Sequence, residues 1–194
     1  MNKKIMICGA SGTGKTTLAR HISGRYDMPY ITTSAKAIWD KYGIKTHKDA
    51  IALSHMNPDV GFKYQWDVLR SRMKILDGYN KYVVDRSYID NLTYLMLQNG
   101  YHLCDADIEE MVDLVNESLA DINGIIFLRF TGDIVLENDG ARLTNTYYQA
   151  MVDQVMYWIM YSDKINLHAW KILSIQVWDF QKRIELVEKW LKKL

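Results

Sequence analysis

Residues 9–16, Gly-Ala-Ser-Gly-Thr-Gly-Lys-Thr, have the residue types and the spacing of a loop that binds nucleotide phosphates. Glycines let successive backbone N–H groups turn toward phosphate oxygens, and a helix beginning near Lys15 adds the positive end of its dipole. Lys15 is expected to reach the β- and γ-phosphates, and the Thr16 hydroxyl to bind Mg²⁺. We therefore predict a triphosphate site with ATP and Mg²⁺ as cofactors. The predicted binding residues of the loop are Gly9, Ser11, Gly12, Thr13, Gly14, Lys15, Thr16 and Thr17.

A second polar group, Asp85-Arg86-Ser87, follows the predicted buried strand 81–84. A carboxylate there can organise Mg²⁺ or accept the proton of an attacking hydroxyl. An adjacent arginine can hold a phosphoryl group with its planar fork of donors. Because phosphoryl transfer depends on positioning and charge neutralisation, we predict Asp85 and Arg86, with Lys15, as catalytic residues. Asp85 and Thr16 are the predicted metal ligands, and a turn pair without a catalytic role is the structural alternative.

The polar segment 131–144 contains Asn-Asp-Gly and predicts a mobile, lid-like loop. A loop that closes over the triphosphate would exclude water, which otherwise hydrolyses the γ-phosphate. We predict Arg142 as the catalytic residue that this loop contributes. Arg129, at the end of the preceding strand, is the second predicted phosphate ligand. The alternative is a solvent-exposed surface loop whose arginine has no role in binding or catalysis.

The acceptor site is expected on the helix 62–76, where Gln65 and Arg72 share one flank of the apolar stripe. Glutamine can read an amide-like base edge, and arginine can hold a phosphate. We predict both as substrate-binding residues. The alternative is that they are polar residues at the edge of the apolar stripe with no binding role. Tyr30 is the third predicted substrate-binding residue, since its ring could stack on a base. Further stacking candidates are Trp39, Tyr64 and Tyr88.

The chain alternates strand-like and helix-like segments, which predicts an α/β, three-layer P-loop NTPase fold with a five-stranded parallel sheet flanked by helices. The predicted strands cover 4–8, 28–33, 81–84, 124–130 and 170–178, of which 28–33 is an edge strand because it contains Pro29. The predicted helices cover 15–25, 62–76, 108–119, 148–159 and 184–194. Residues 34–61 lack a clear period and predict a variable, acceptor-side region. Ligands of such sheets bind beyond the carboxyl ends of the strands, where the candidate residues fall.

The bulk properties of the chain predict one cytoplasmic domain over residues 1–194. We see no signal-peptide pattern and no apolar stretch of the roughly 18–20 residues that cross a bilayer, so no membrane partner is expected. A formal net charge of +1 does not indicate a protein that is basic overall, as many nucleic-acid-binding proteins are. Aromatic residues cluster on one helix and predict packing, although an exposed face there could serve a homodimer. They are Tyr147, Tyr148, Tyr157, Trp158 and Tyr161.

In these motifs the chain resembles the P-loop nucleoside and nucleotide kinases, including thymidylate kinases and deoxynucleoside kinases, which carry D-R or E-R-S after this strand. Residues 139–142, Asp-Gly-Ala-Arg, also resemble the D-G-x-R of small kinases of the nicotinamide-riboside and phage deoxynucleotide kinase type. The resemblance implies that Lys15, Arg86 and Arg142 bind phosphate and that Asp85 acts as base or Mg²⁺ organiser. An arginine-rich lid of the adenylate-kinase kind is not seen in the sequence.

The leading hypothesis is an ATP-dependent kinase that acts on a nucleoside or a (deoxy)nucleoside monophosphate. A second hypothesis keeps the chemistry but places the acceptor hydroxyl on DNA, at a hydroxymethylated pyrimidine or a strand end, bound by a local basic groove. That groove would contain Lys36, Lys41, Lys45, Lys48, Lys63, Arg70, Arg72 and Lys74. The third is a nucleotide-gated switch or assembly NTPase. Such proteins usually carry an N-K-x-D motif or an effector element, and we find neither in the sequence.

Overall fold

A computed structural model describes residues 3–132 and 145–194. Within them, five parallel strands form one sheet in the order β2-β3-β1-β4-β5. The strands are β1 (Lys4–Cys8), β2 (Tyr30–Ile31), β3 (Tyr82–Val84), β4 (Gly124–Leu128) and β5 (Ile172–Ile175). The helices are α1 (Lys15–Tyr26), α2 (His47–Met56), α3 (Pro58–Asp77), α4 (Tyr88–Asn99), α5 (Asp105–Ala120), α6 (Thr146–Tyr161) and α7 (Phe180–Leu191). The predicted α/β fold with a five-stranded parallel sheet is confirmed.

Both faces of the sheet are covered, as expected for parallel strands that read as continuous apolar runs. Ile5 and Ile7 of β1 pack with α1 and α7 on one face. Met6 and Cys8, which point to the other face, belong to a larger core with α3, α4, α5 and α6. The carboxyl edge of the sheet is therefore the place where loops from several strands can meet around a ligand.

The strand order brings the candidate residues to that edge. β1 lies between β3 and β4, with Met6 opposite Val84 and Cys8 opposite Phe127. The glycine-rich loop follows β1, and Asp85 follows β3, so the two predicted sites are neighbours. β2 lies at the edge of the sheet, next to β3, as Pro29 predicts.

Two helices were not predicted from the sequence. Residues 34–61, in which the sequence shows no clear period, contain α2 and the first turn of α3. α2 begins with a capping box, in which Thr46 accepts a hydrogen bond from the Asp49 amide and Asp49 accepts one from Thr46. α4 begins with the same device, built from Ser87 and Asp90. The predicted strand 170–178 is shorter in the structure, and Trp178 lies in the loop after β5.

The surface of α6 also differs from the prediction. Tyr148 packs against the core, but Tyr147, Tyr157, Trp158 and Tyr161 are exposed. The packing interpretation is therefore wrong for these four residues, and the homodimer stays a prediction.

Among the helices of the described ranges, none is both long enough and apolar enough to cross a bilayer.

Candidate active site

The glycine-rich loop between β1 and α1 has positive φ angles, which favour glycine, at Gly9, Gly12 and Gly14. Gly9 has φ 141°, and a Cβ there would lie 2.4 Å from the carbonyl oxygen of Leu128 in β4. Gly14, which precedes the first residue of α1, has φ 86°. The loop therefore passes close over the end of β4 before it enters the helix, and residues 14–17 at the start of that helix line the cavity described below.

Lys15 is folded back onto the loop and is only 7% exposed. Its Nζ donates to the carbonyl oxygens of Gly9 at 2.8 Å and Ala10 at 2.5 Å. Burial lowers the pKa of Lys15 to about 7, and the nearby charge of Arg86 acts in the same direction. Phosphate oxygens would supply the negative charge that these carbonyls supply only in part.

Two side chains from distant helices brace the loop. Arg183 of α7 is 2% exposed, and its Nη1 donates to the carbonyl oxygen of Thr13 at 2.6 Å. The backbone N–H of Ser11 donates to Oε1 of Gln149 in α6 at 2.9 Å. Sequence reasoning missed both residues, because 170 and 138 positions separate them from their partners.

Asp85 lies directly beside the loop. Its Oδ2 accepts hydrogen bonds from the Thr16 hydroxyl at 2.6 Å and from the Tyr30 hydroxyl at 2.8 Å. Burial, together with the bond to Asp85, raises the pKa of Tyr30, so the phenol remains a donor at neutral pH. Tyr30, which was predicted to stack on a base, lines the cavity, and its hydroxyl holds the carboxylate.

The Thr16 hydroxyl and the Asp85 carboxylate suit Mg²⁺, which prefers oxygen ligands and keeps several of its waters. Within ranges 3–132 and 145–194, no cluster of three or more His, Cys, Asp or Glu side chains could hold a metal. A Mg²⁺ ion at Thr16 and Asp85 would therefore need phosphate oxygens and water to complete its coordination.

Arg86 is aimed by a buried carboxylate at the start of α4. Its Nη1 donates to Oδ1 of Asp90 at 3.0 Å. Oδ2 of Asp90 accepts from the backbone N–H of Ser87 at 2.7 Å and from its hydroxyl at 2.9 Å. Asp90 is 1% exposed and thus satisfies the helix N-terminus and Arg86 at the same time.

Gln65 and Arg72 of α3 form the polar floor of the site with residues of α4. Gln65 donates through Nε2 to Oε1 of Gln98 at 3.0 Å. Arg72 donates to Thr33 Oγ1 at 3.2 Å and, through Nη1, to Asn91 Oδ1. Sequence reasoning missed Gln98 and Asn91, although the capping box at the start of α4 is a signal that could have revealed their helix.

These groups line one cavity of about 750 Å³, which is within the size range of small-molecule sites. Its walls come from the glycine-rich loop, the ends of β2 and β3, helices α3 and α4, and Trp178 after β5. Five cationic side chains line it, and these are Lys15, Arg20, Lys36, Arg72 and Arg86. Two carboxylates, Asp85 and Asp90, line it as well. The excess of positive charge suits polyanionic ligands.

The cavity brings most of the predicted site residues together. Those that line it are Ser11, Gly12, Gly14, Lys15, Thr16, Thr17, Tyr30, Gln65, Arg72, Asp85 and Arg86. Gly9 and Thr13 lie in the same loop behind the lining. Of the other stacking candidates, Tyr64 lines the cavity, whereas Trp39 and Tyr88 are buried in hydrophobic clusters.

Of the two predicted lid-side arginines, Arg129 does not line this cavity. Arg129 binds Asp153 of α6, with Nε and Nη2 at 2.9 and 2.8 Å from Oδ2, and its guanidinium lies over the ring of Tyr157. Arg142 and most of the predicted lid-like loop lie outside the described residues. The geometry therefore gives Arg129 no contact with the cavity.

Three of the cations that were predicted to form a DNA-binding groove are buried or contact other side chains. Arg72 is buried inside the cavity, and Lys41 lies 2.5 Å from Asp67. The guanidinium of Arg70 lies over the ring of Trp66. These three side chains do not present free charge along one surface.

A protein-family model described as an AAA domain matches residues 4–159. The chain belongs to this AAA domain family. The chain shares its fold with the deoxyadenosine kinase of M. mycoides. The dCTP-bound structure of that enzyme is 16% identical in sequence, with a TM-score of 0.65, and the match covers 98% of this chain and 100% of that chain. The same enzyme with the products dCMP and a flexible dCDP is 17% identical with a TM-score of 0.67 and covers 98% of both chains.

A third structure is the YorR protein of Bacillus subtilis in complex with phosphorylated GDP. It is 16% identical to this AAA domain with a TM-score of 0.54, and the match covers 96% of both chains. A comparison with curated proteins found no match. Since these identities are low, the likeness establishes the P-loop kinase fold, and the reaction must be argued from the residues of the site.

Proposed function

We propose that the protein is an ATP-dependent kinase that transfers the γ-phosphate to a nucleoside or a nucleoside monophosphate. One observation carries the proposal. A single cavity joins the glycine-rich loop to the polar floor on α3 and α4, and Asp85, whose Oδ2 lies 2.6 Å from the Thr16 hydroxyl of the loop, lines the same cavity. This arrangement offers a donor site and an acceptor site on either side of the transferring group.

The donor would bind with its phosphates on the loop. Backbone N–H groups at the start of α1 and the Lys15 ammonium would hold the β- and γ-phosphates. Thr16 and Asp85 would hold Mg²⁺, which neutralises charge on the phosphates when bound. Trp178 lies in the same cavity, is 46% exposed, and offers a flat surface near the loop for the base of the nucleotide.

The transfer step would use Asp85 and Arg86. Arg86, held by Asp90, would neutralise charge that develops on the transferring group, as bidentate arginines do. If the acceptor is a hydroxyl, Asp85 would accept its proton. We also assign Arg142 the closing role that the resemblance implies, although it lies outside the described residues.

The acceptor would bind on the floor of the cavity. Gln65 and Gln98 form an amide pair, both members of which are buried and line the cavity. Such a pair retains a donor and an acceptor for the edge of a base. Arg72 adds a donor whose position is fixed by Thr33 and Asn91.

The proposal is tested by transfer from γ-labelled ATP to a panel of nucleosides, nucleoside monophosphates, and single- and double-stranded DNA with and without hydroxymethylated pyrimidines. We expect label on a small acceptor, and no label with Lys15→Ala. Label on the polymer alone would replace this proposal by the DNA kinase. Release of inorganic phosphate without a labelled acceptor would replace it by a nucleotide-gated switch.

A further inference from the structure

The cavity lining contains a buried cation, Arg72, whose hydrogen-bond partners in the described residues are all uncharged. Arg72 is 3% exposed. Its guanidinium donates to the side chain and carbonyl of Thr33, to the carbonyl of Ser87 and to the side-chain oxygen of Asn91. All of these acceptors are neutral, and no carboxylate of the described ranges pairs with Arg72.

The two carboxylates that line the cavity serve other groups. Asp90 is bound to Arg86 and to Ser87, while Asp85 is bound by two hydroxyls next to the glycine-rich loop. Lys36, three residues after the Arg72 partner Thr33, adds a second cation to the cavity lining, with its ammonium over the ring of Trp39. Because an uncompensated buried charge is costly, a ligand with negative charge is favoured beside Arg72.

Arg72 keeps its charge at neutral pH despite its burial. Burial lowers the pKa of Arg72 to about 10, with the negative charge of Asp90 opposing the shift. The guanidinium is therefore protonated under all conditions in which transfer would be measured.

We propose that the acceptor is a nucleoside monophosphate rather than an uncharged nucleoside, and that Arg72 and Lys36 supply the counter-charge for it. This inference rests on the proposed kinase function and narrows its substrate class. Lys15 is folded onto the glycine-rich loop and Arg86 is held by Asp90, so we assign these two cations to the donor phosphates and Arg72, on α3 with Gln65, to the acceptor.

The chemistry of such an acceptor needs no base. A lone pair on a phosphate oxygen of the monophosphate forms a bond to the γ-phosphorus of ATP. The bond from that phosphorus to the bridging oxygen breaks, and its electron pair leaves with ADP. The second pKa of a phosphate monoester is about 6, so the attacking oxygen is already ionised at neutral pH and no proton has to be removed. Asp85 is then available to the metal alone.

The test compares each nucleoside with its own monophosphate as acceptor for γ-labelled ATP, with kcat and KM measured for both substrates. We expect transfer to a monophosphate, giving a diphosphate, and at least about 30-fold lower kcat/KM for the matching nucleoside. Arg72→Met should lower kcat/KM for the monophosphate at least about 30-fold, while KM for ATP changes less than about twofold.

Two further variants separate charge from folding. Arg72→Lys keeps the charge and should recover part of the loss. Lys36→Ala, at an exposed position, should raise KM for the monophosphate about two- to fivefold. Lys41→Ala is the matched control, because Lys41 is exposed, outside the cavity and paired with Asp67. It should leave all constants unchanged.

Efficient transfer to a nucleoside, with its monophosphate no better as a substrate, would overturn this inference and leave the kinase function standing. The inference would also fail if monophosphates are used but Arg72→Met and Lys36→Ala leave their KM unchanged. Binding of ATP without transfer to any acceptor would overturn the kinase function itself.

Discussion

Replacement of Asp85 by asparagine tests whether the charge of this side chain, rather than its shape, supports transfer. Asparagine has nearly the same size and keeps one oxygen, so the bonds from Thr16 and Tyr30 can persist. Each of them changes from a charge-assisted to a neutral hydrogen bond, which costs about 1 kcal/mol. Because Asp85 is partly exposed, we expect the free energy of unfolding to fall by no more than about 1–2 kcal/mol.

The expected effect of Asp85→Asn on the reaction is much larger than its effect on stability. Loss of the carboxylate weakens the Mg²⁺ site and, for a hydroxyl acceptor, removes the base. Either change lowers kcat by at least about 100-fold. The assay is single-turnover transfer of label from ATP at several Mg²⁺ concentrations, with thermal unfolding of the same preparations. High Mg²⁺ should recover part of the activity if the metal is the main cause.

Tyr30→Phe is the matched control, since it removes one hydrogen bond to Asp85 but leaves the charge in place. We expect less than about a tenfold loss of kcat. Activity of Asp85→Asn within tenfold of the wild type, at unchanged stability, would refute the assigned role of the charge. An equal loss in both variants would show that the phenol hydroxyl, rather than the carboxylate, is the essential group.

Three further predictions concern the loop and the floor of the cavity. The pKa of Lys15 is about 7 in the free protein, and bound phosphates favour its charged form. ATP binding at pH 7.5 should therefore be accompanied by uptake of about three quarters of a proton, which calorimetry in buffers of different ionisation enthalpy measures. This proton uptake should vanish at pH 5.5 and in Lys15→Arg. The pKa is also lower than in an unfolded chain, so between about pH 7 and 10 the unfolded state binds more protons and this group makes the free protein more stable as pH rises. Gly9→Ala should lower the free energy of unfolding, measured in urea, by at least about 2 kcal/mol, because the new Cβ would lie 2.4 Å from a carbonyl oxygen of β4. Gly24→Ala in α1 is the control and should be neutral or stabilising, because no atom lies within 4 Å of the new Cβ. Equal effects of the two substitutions would contradict the close approach at Gly9. Gln98→Met should raise KM for the acceptor at least about tenfold and leave KM for ATP unchanged, because Gln65 loses its hydrogen-bond partner on the floor of the cavity. An unchanged KM for the acceptor would show that the pair of Gln65 and Gln98 does not bind the acceptor.

The sequence predicted the parts of the site whose determinants are local. The loop motif fixes its own conformation, since its glycines, Gly9, Gly12 and Gly14, are the residues with the positive φ that its path requires. Asp85 was found because the residue after a buried strand lies at the ligand-binding edge, and β3 is the neighbour of β1. The alternation of apolar segments predicted five parallel strands, whereas their order in the sheet comes from the structure.

The residues of α4 were missed for a physical reason. This helix packs between α3, α5 and α6, and most of its residues are buried on every side. Polar residues such as Asn91 and Gln98 are therefore mixed with apolar ones around the whole circumference, and no single apolar stripe marks the helix. Only the capping box of Ser87 and Asp90 signals where it begins.

Arg129 shows why a position at the end of a strand is not sufficient to predict a ligand. Its guanidinium is taken by Asp153, one helical turn after Gln149, whose side chain accepts the Ser11 amide of the glycine-rich loop. A shift of α6 would disturb both contacts, because they lie on the same side of one helix. The end of β4 and the phosphate loop are thus tied together through α6. A glutamine and an aspartate four residues apart occur on many helices, so the pattern alone cannot reveal this link.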